Sequence, residues 1–94
     1  MTAYEFINSG NGLALAARSD VLDIDSYTTL FPGAGDEFAW RYPLKVELSW
    51  VCGLNSAAIH IINVHLKSGG SSEDFDRRFA SCEYLSDYVY DHPN

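Results

Sequence analysis

YPLKVELSWVCGLNSAAIHIINVHLKSGG, residues 42–70, decides how this chain is read. Leu44, Val46, Leu48 and Trp50 alternate with Lys45, Glu47 and Ser49. Strand side chains alternate faces, so the first ten residues predict a strand with an apolar face and a wet face. CGLNS, residues 52–56, has the length and composition of a hairpin connection. AAIHIINVHL, residues 57–66, is a second apolar run and predicts the partner strand. That run carries Asn63 and His65 in alternation and then breaks into Lys67-Ser68-Gly69-Gly70. If the strand continues to Leu66, then Asn63, His65 and, at its end, Lys67 share one face. Ile62, Val64 and Leu66 share the other. His60 falls on the side opposite His65, so the two imidazoles do not form a metal pair on one face.

Outward from this hairpin, the N-terminal half reads as further strands. YEFI (4–7) fits the end of one, and NSGNG (8–12) fits a tight turn because Asn and Gly tolerate positive φ. LALAAR (13–18) fits a short buried strand, and VLDIDSYTTL (21–30) alternates and is rich in β-branched residues. FPGAGDE (31–37) is read as a loop. Toward the C-terminus, SSEDFDRRFASCEYLSDYVY (71–90) predicts a helix. Ser71 and Asp74 have capping-box spacing, and acids crowd the first turn. Phe75, Phe79, Cys82, Leu85, Tyr88 and Val89 form an apolar stripe at spacings of three and four, and Pro93 marks the stop. The order predicts an α+β chain: several mostly antiparallel strands, then one helix. A strand feeding a helix is also the first half of a crossover to a further strand.

Composition bounds the possibilities. The 94 residues allow one domain, and 47% hydrophobic content excludes a disordered tail. No apolar run is long enough to span a membrane. MTAYEFINSG lacks the basic and then apolar pattern of a secretory signal. Thirteen acids against six Lys and Arg give a net charge of −7. Such a chain disfavours passive binding to a phosphate backbone, although a bound cation can reverse the local field. Cys52 and Cys82 have no Cys or His at zinc-ligand spacing and read as reduced, semi-buried thiols, with no metal assigned. A histidine at a strand's C-terminal end can donate to a phosphate oxygen or carry a proton at neutral pH. A lone histidine in such a place is more often a satisfied structural residue, and spacing alone does not overturn that.

The quoted segments together resemble the central part of the endonuclease/exonuclease/phosphatase superfamily of divalent-metal-dependent phosphoesterases. INVHLKSGG (62–70), followed by EDFDRR (73–78) opening a helix, is similar to that family's His-bearing strand and loop. GLALAARSD (12–20) resembles its G-x-A-I-x-S-R strand, and WRYPLKVEL (40–48) its R-x-P-x-x-V strand. The three come in family order. The resemblance implies a partial β-sandwich domain over residues 1–94, lacking N-terminal and C-terminal portions. It implies that His65 contacts the scissile phosphate and helps protonate the leaving group. It further implies that Asn63 orients the loop or the histidine, and that Arg41 and Lys67 lie on the substrate side. Arg41 also reads as a surface residue at a strand start. Arg78 is expected to anchor the helix through an ion pair, and Ser68 to be a turn residue.

Mg²⁺ or Mn²⁺ is the cofactor implied for the complete domain, with its ligands outside this chain. Glu5 has the wrong context for the family's metal-binding glutamate, and Asp91-His92 ends a helix too early to be its terminal Asp-His motif. A phosphate ester, either nucleic acid or a phospholipid or inositol phosphate, is the implied substrate. By itself the chain is expected to be inactive or nearly so, and self-association through exposed sheet edges is expected. The competing reading is a non-catalytic α/β module with Trp40, Tyr42 and Trp50 as interface anchors.

Overall fold

The computed structural model describes residues 4–10 and 12–93, apart from the side chains of Val51 and Cys52. Five strands precede one helix: β1 (Tyr4–Asn8), β2 (Ala14–Arg18), β3 (Leu22–Thr29), β4 (Leu44–Cys52), β5 (Asn55–Asn63) and α1 (Ser72–Asp91). All pairing is antiparallel. β1 and β2 form one sheet, and β3-β4-β5 form the other. The expected α+β class and element order are therefore present.

The two sheets share one apolar core. Leu44, Val46 and Leu48 of β4 are buried against Ile7, Leu13 and Ala17, with Leu15, Leu22 and Ile24 at the margin. The alternation of β4 is thus realised as predicted for these three leucine and valine positions. Trp50 departs from it: the indole is 40% exposed at the end of the strand. The other face of β4 is drier than its polar sequence predicts. Lys45 is only 9% exposed, because Tyr88 of α1 covers it. A long amphipathic stem lets a lysine be buried this way if its ammonium finds partners.

Turn chemistry sets the registers. Gly10 and Gly12 take φ of 82° and 81° between β1 and β2, and the Ser9 N–H donates to the Leu13 carbonyl at 3.0 Å. Asn11 of this predicted turn lies outside the described residues. Gly53 supplies a φ of 63° in the two-residue connection that places Cys52 opposite Asn55. Glycine occupies such positions without the steric cost other residues meet.

β5 is displaced from the predicted 57–66. It starts at Asn55 and ends at Asn63, so His65 and Lys67 lie beyond the strand. The reason is on the neighbouring strand. The ladder closes at Leu44↔Asn63, and the residue before Leu44 is Pro43, which has no N–H to donate. The Pro43 carbonyl is taken by Leu30 at 2.9 Å. Residues 64–68 therefore continue without ladder partners, and strand alternation does not govern His65.

The segment expected to be a plain loop is the largest departure from the sequence reading. Residues 30–43 fold into successive turns that bury Leu30, Ala34, Phe38 and Pro43. Phe31 stacks on Phe38 at 5.4 Å, and both rings meet Tyr84 of α1, at 5.2 and 6.0 Å. This aromatic cluster, rather than the sheet, is the main seat of the helix.

The helix starts where predicted, with the complete capping box of Ser71 and Asp74. Its packed face overlaps the predicted stripe at Tyr88 but is otherwise made by different residues. Arg77 pairs with Asp36 at 3.0 Å, the Ser81 hydroxyl reaches the Glu37 carbonyl at 2.6 Å, and Tyr84 and Tyr88 meet Phe31. These residues make the packed face: Ser81 is fully buried, Arg77 and Tyr88 are half-buried, and Tyr84 is 40% exposed. The predicted apolar stripe points largely outward: Phe75 is 59% exposed, Phe79 58% and Val89 56%, and Cys82 is an exposed free thiol. The expectation for Cys52 lies outside the described side chains.

Candidate functional site

The residues picked out by sequence meet where β5 runs into α1. Residues 64–68 make no strand pairing, so their carbonyls need other donors. Two arginines supply them. Arg41 donates from Nε to the His65 carbonyl at 3.2 Å and from Nη2 to the Leu66 carbonyl at 3.1 Å. Arg78 donates from Nη1 to the carbonyls of Lys67 and Gly69, both at 2.9 Å. The planar fork of guanidinium suits this double acceptance. The segment behind His65 is thus held at four carbonyls from two sides.

Backbone geometry upstream aims Arg41. Ala39 and Trp40, immediately before it, have φ of 52° and 62°. Each costs a non-glycine residue about 1–2 kcal/mol. The turns that hold them are closed by Trp40 N–H to Gly35 at 2.7 Å and Arg41 N–H to Phe38 at 3.0 Å. The indole of Trp40 lies over Gly35, where a Cβ would overlap it.

Lys67 adds a third cation. Its ammonium donates to the Ser68 carbonyl at 2.8 Å and pairs with Asp74 at 3.2 Å. Asp74 also closes the capping box. The Ser71 hydrogen bonds, and after them Lys67, hold its carboxyl below the usual aspartate range. Gly69, at φ 117°, lets the chain pass tightly against that carboxylate. His65 itself is exposed, with its carbonyl fixed by Arg41.

Each expected site residue therefore has a definite place. Arg41 and Lys67 flank His65 but spend hydrogen bonds on the backbone and on Asp74. Asn63 does not reach the histidine. Its Nδ2 donates to the Ala14 carbonyl at 2.9 Å and ties β5 to β2. Arg78 anchors the helix as expected, yet it does so through carbonyls rather than through an ion pair.

A second polar region was not legible in the sequence. Lys45, His60 and Ile62 on the sheet, with Tyr88, Val89, His92 and Pro93 at the end of α1, line a cleft of about 310 Å³. Lys45 donates to the Tyr88 hydroxyl at 2.7 Å and pairs with Glu47 at 3.3 Å. The Tyr88 hydrogen bond first, and Glu47 after it, raise the Lys45 ammonium above its ordinary value against the opposing effect of burial. Glu47 is lowered by the Ser26 hydroxyl and then by Lys45. His92 stacks on Tyr88 at 4.0 Å and caps the helix. The sheet and helix residues that build this cleft lie more than twenty residues apart, so no local motif announces it.

Among the described residues, no group of three or more His, Cys, Asp or Glu is placed to hold a metal ion. No helix there is long and apolar enough to cross a membrane. No family model, no curated protein and no solved structure matches this chain.

Proposed function

We propose that this chain supplies the histidine-bearing wall of a divalent-metal-dependent phosphoesterase site. The observation that carries this reading is the clamp on residues 65–69. Two guanidiniums hold the backbone carbonyls of residues 65–69, and the Lys67 ammonium lies in the same segment paired with Asp74, behind the one exposed His65 of a chain whose net charge is −7. Local positive charge in an acidic protein favours an anionic ligand there. An imidazole N–H can donate to a phosphate oxygen, and the protonated ring can give a proton to a leaving alkoxide and become neutral. The clamp holds the backbone of that imidazole before substrate arrives, as catalysis by positioning requires.

The described residues do not fit the Mg²⁺ or Mn²⁺ ion this chemistry calls for, since they gather no ligand cluster. Its ligands come from outside them, and no step is assigned to the ion. The substrate is a phosphate ester, whether nucleic acid, phospholipid or inositol phosphate.

Titration of the nitrogen-labelled chain with inorganic phosphate tests the wall directly. Saturable shifts at the His65 ring and the 65–69 amides are expected, weakened by His65→Gln. Shifts that never saturate, or that gather at the Lys45–His60 cleft, overturn the assignment. In a polypeptide that also supplies the carboxylates, His65→Ala should lower turnover about a hundred- to ten-thousand-fold with folding intact.

A non-catalytic interaction module is the second reading, and the 69% exposure of Trp40 favours it. Exposed tryptophans are enriched as anchors of protein interfaces. Tyr42 is half-buried and Trp50 is 40% exposed, so Trp40 is the stronger anchor of the three.

A further inference from the structure

The three-stranded sheet has two edges, and they are built differently. β3 is guarded. It carries Asp23 and Asp25, its register shifts between Ile24 and Ser26, and its Ile24 N–H donates to the Glu5 carboxylate at 3.4 Å. Charge and a bulge are the usual means of preventing one edge from pairing with another. β5 has none of these. Its nine residues, NSAAIHIIN, pair with β4 without a register break and contain no Asp, Glu, Lys, Arg or Pro. Asn55 to Ile61 are all exposed. Alternate backbone N–H and C=O groups of a terminal strand point away from its only neighbour.

Charge decides which partner fits. Two copies of a chain with net charge −7 repel over most of their surfaces. The helix alone presents Glu73, Asp74, Asp76, Glu83, Asp87 and Asp91 against Arg77 and Arg78. Leu48 to Leu66 holds no Asp, Glu, Lys or Arg, so at β5 two copies approach without that penalty. The side chains agree. Ile59 and Ile61 pair across to Leu48 and Val46, which puts them on the core face of the sheet, yet each stays 38% exposed. An apolar strip beside an open edge is covered when the same strip of a second sheet lies next to it.

We propose that β5 is a homotypic docking edge. A second copy of this chain adds its own β5 antiparallel, across a two-fold axis, to give one sheet in the order β3-β4-β5-β5-β4-β3. Centred on Ile59, this register pairs Asn55 with Asn63 and Ala57 with Ile61 of the second copy. Odd residues meet odd residues, so the apolar face of one sheet continues into the other. Such an isologous contact closes on itself as a dimer. It concerns this 94-residue chain and uses none of residues 65–69.

Light scattering after size exclusion, on the 94-residue chain over a concentration series, tests this. The mass should rise with concentration from 10.5 kDa to twice that value and stop there. Ala58→Lys adds a charge to the exposed edge, and should hold the mass at 10.5 kDa with an unchanged far-ultraviolet spectrum. A wild-type chain that stays monomeric, a dimer that survives Ala58→Lys, or open-ended growth in mass each overturns the proposal. If Ala58→Lys does not fold, amide exchange of the wild type decides. Protection that rises with concentration at alternate β5 amides supports the edge, and protection confined to the Phe75–Phe79 face of α1 refutes it.

Discussion

Arg78→Ala tests whether the segment bearing His65 is held by its clamp or by chain connectivity alone. The substitution removes both Nη1 hydrogen bonds, to Lys67 and Gly69 at 2.9 Å each, and leaves the Arg41 pair in place. A hydrogen bond involving a charged group contributes about 1.5–3 kcal/mol. Arg78 is half-buried, so water replaces part of the loss, and about 2 kcal/mol for the pair is the working figure. On a chain of this length that lowers the melting temperature by about 10 °C. It also shifts the folding equilibrium by about thirty-fold. Urea denaturation followed by circular dichroism measures the stability term. The shift of the His65 ring proton, with amide exchange at residues 65–69, measures the positional term. Arg78→Lys should recover part of each, because an ammonium reaches one carbonyl well but lacks the fork for two. A stability change within about 0.5 kcal/mol, the range of ordinary surface substitutions, together with unchanged exchange at 65–69, refutes the clamp.

Two further outcomes follow from other parts of the molecule. Asp74 has a folded carboxyl lowered from 3.8 by Ser71 and then Lys67, so its contribution is present above that value and lost as pH falls through the lower folded one. Asp74→Ala should remove that part of the acid limb of a stability-against-pH curve, and an unchanged limb would argue that the capping box is not formed in solution. The observed facing of α1 predicts opposite costs for two helix substitutions. Phe79→Ser on the exposed stripe should change stability by less than about 0.5 kcal/mol. Ser81→Leu, which must fit a larger side chain where the hydroxyl now meets Glu37, should cost about 1–3 kcal/mol in urea unfolding. The reverse order of costs would return the Phe75–Phe79 stripe to the core.

Sequence alone determined whatever depends on neighbours along the chain. The alternation of Leu44, Val46 and Leu48 fixed the core face of β4. Glycines fixed the turns between β1 and β2 and between β4 and β5, because positive φ is a local steric matter. Ser71 and Asp74 fixed the start of α1, since capping acts over three residues. The placement of His65 beside a basic loop was legible for the same reason.

Only the tertiary structure decided the rest. Pro43, twenty residues before Asn63, ends the ladder of β5 and takes His65 off the strand. The end of a strand depends on what its neighbour can donate, and periodicity carries no trace of that. The helix stripe gives the same lesson. Apolar spacing states that a face exists, but what lies opposite decides which face is buried. Here residues 30–43 fold into a platform of Phe31 and Phe38, which takes Ser81 and Tyr84 together with Tyr88 of the stripe and leaves Phe75, Phe79 and Val89 outside. Arg41 and Arg78 likewise acquire their purpose only in three dimensions. Four carbonyls left without strand partners need donors, and these two guanidiniums, distant in sequence, are the ones in reach.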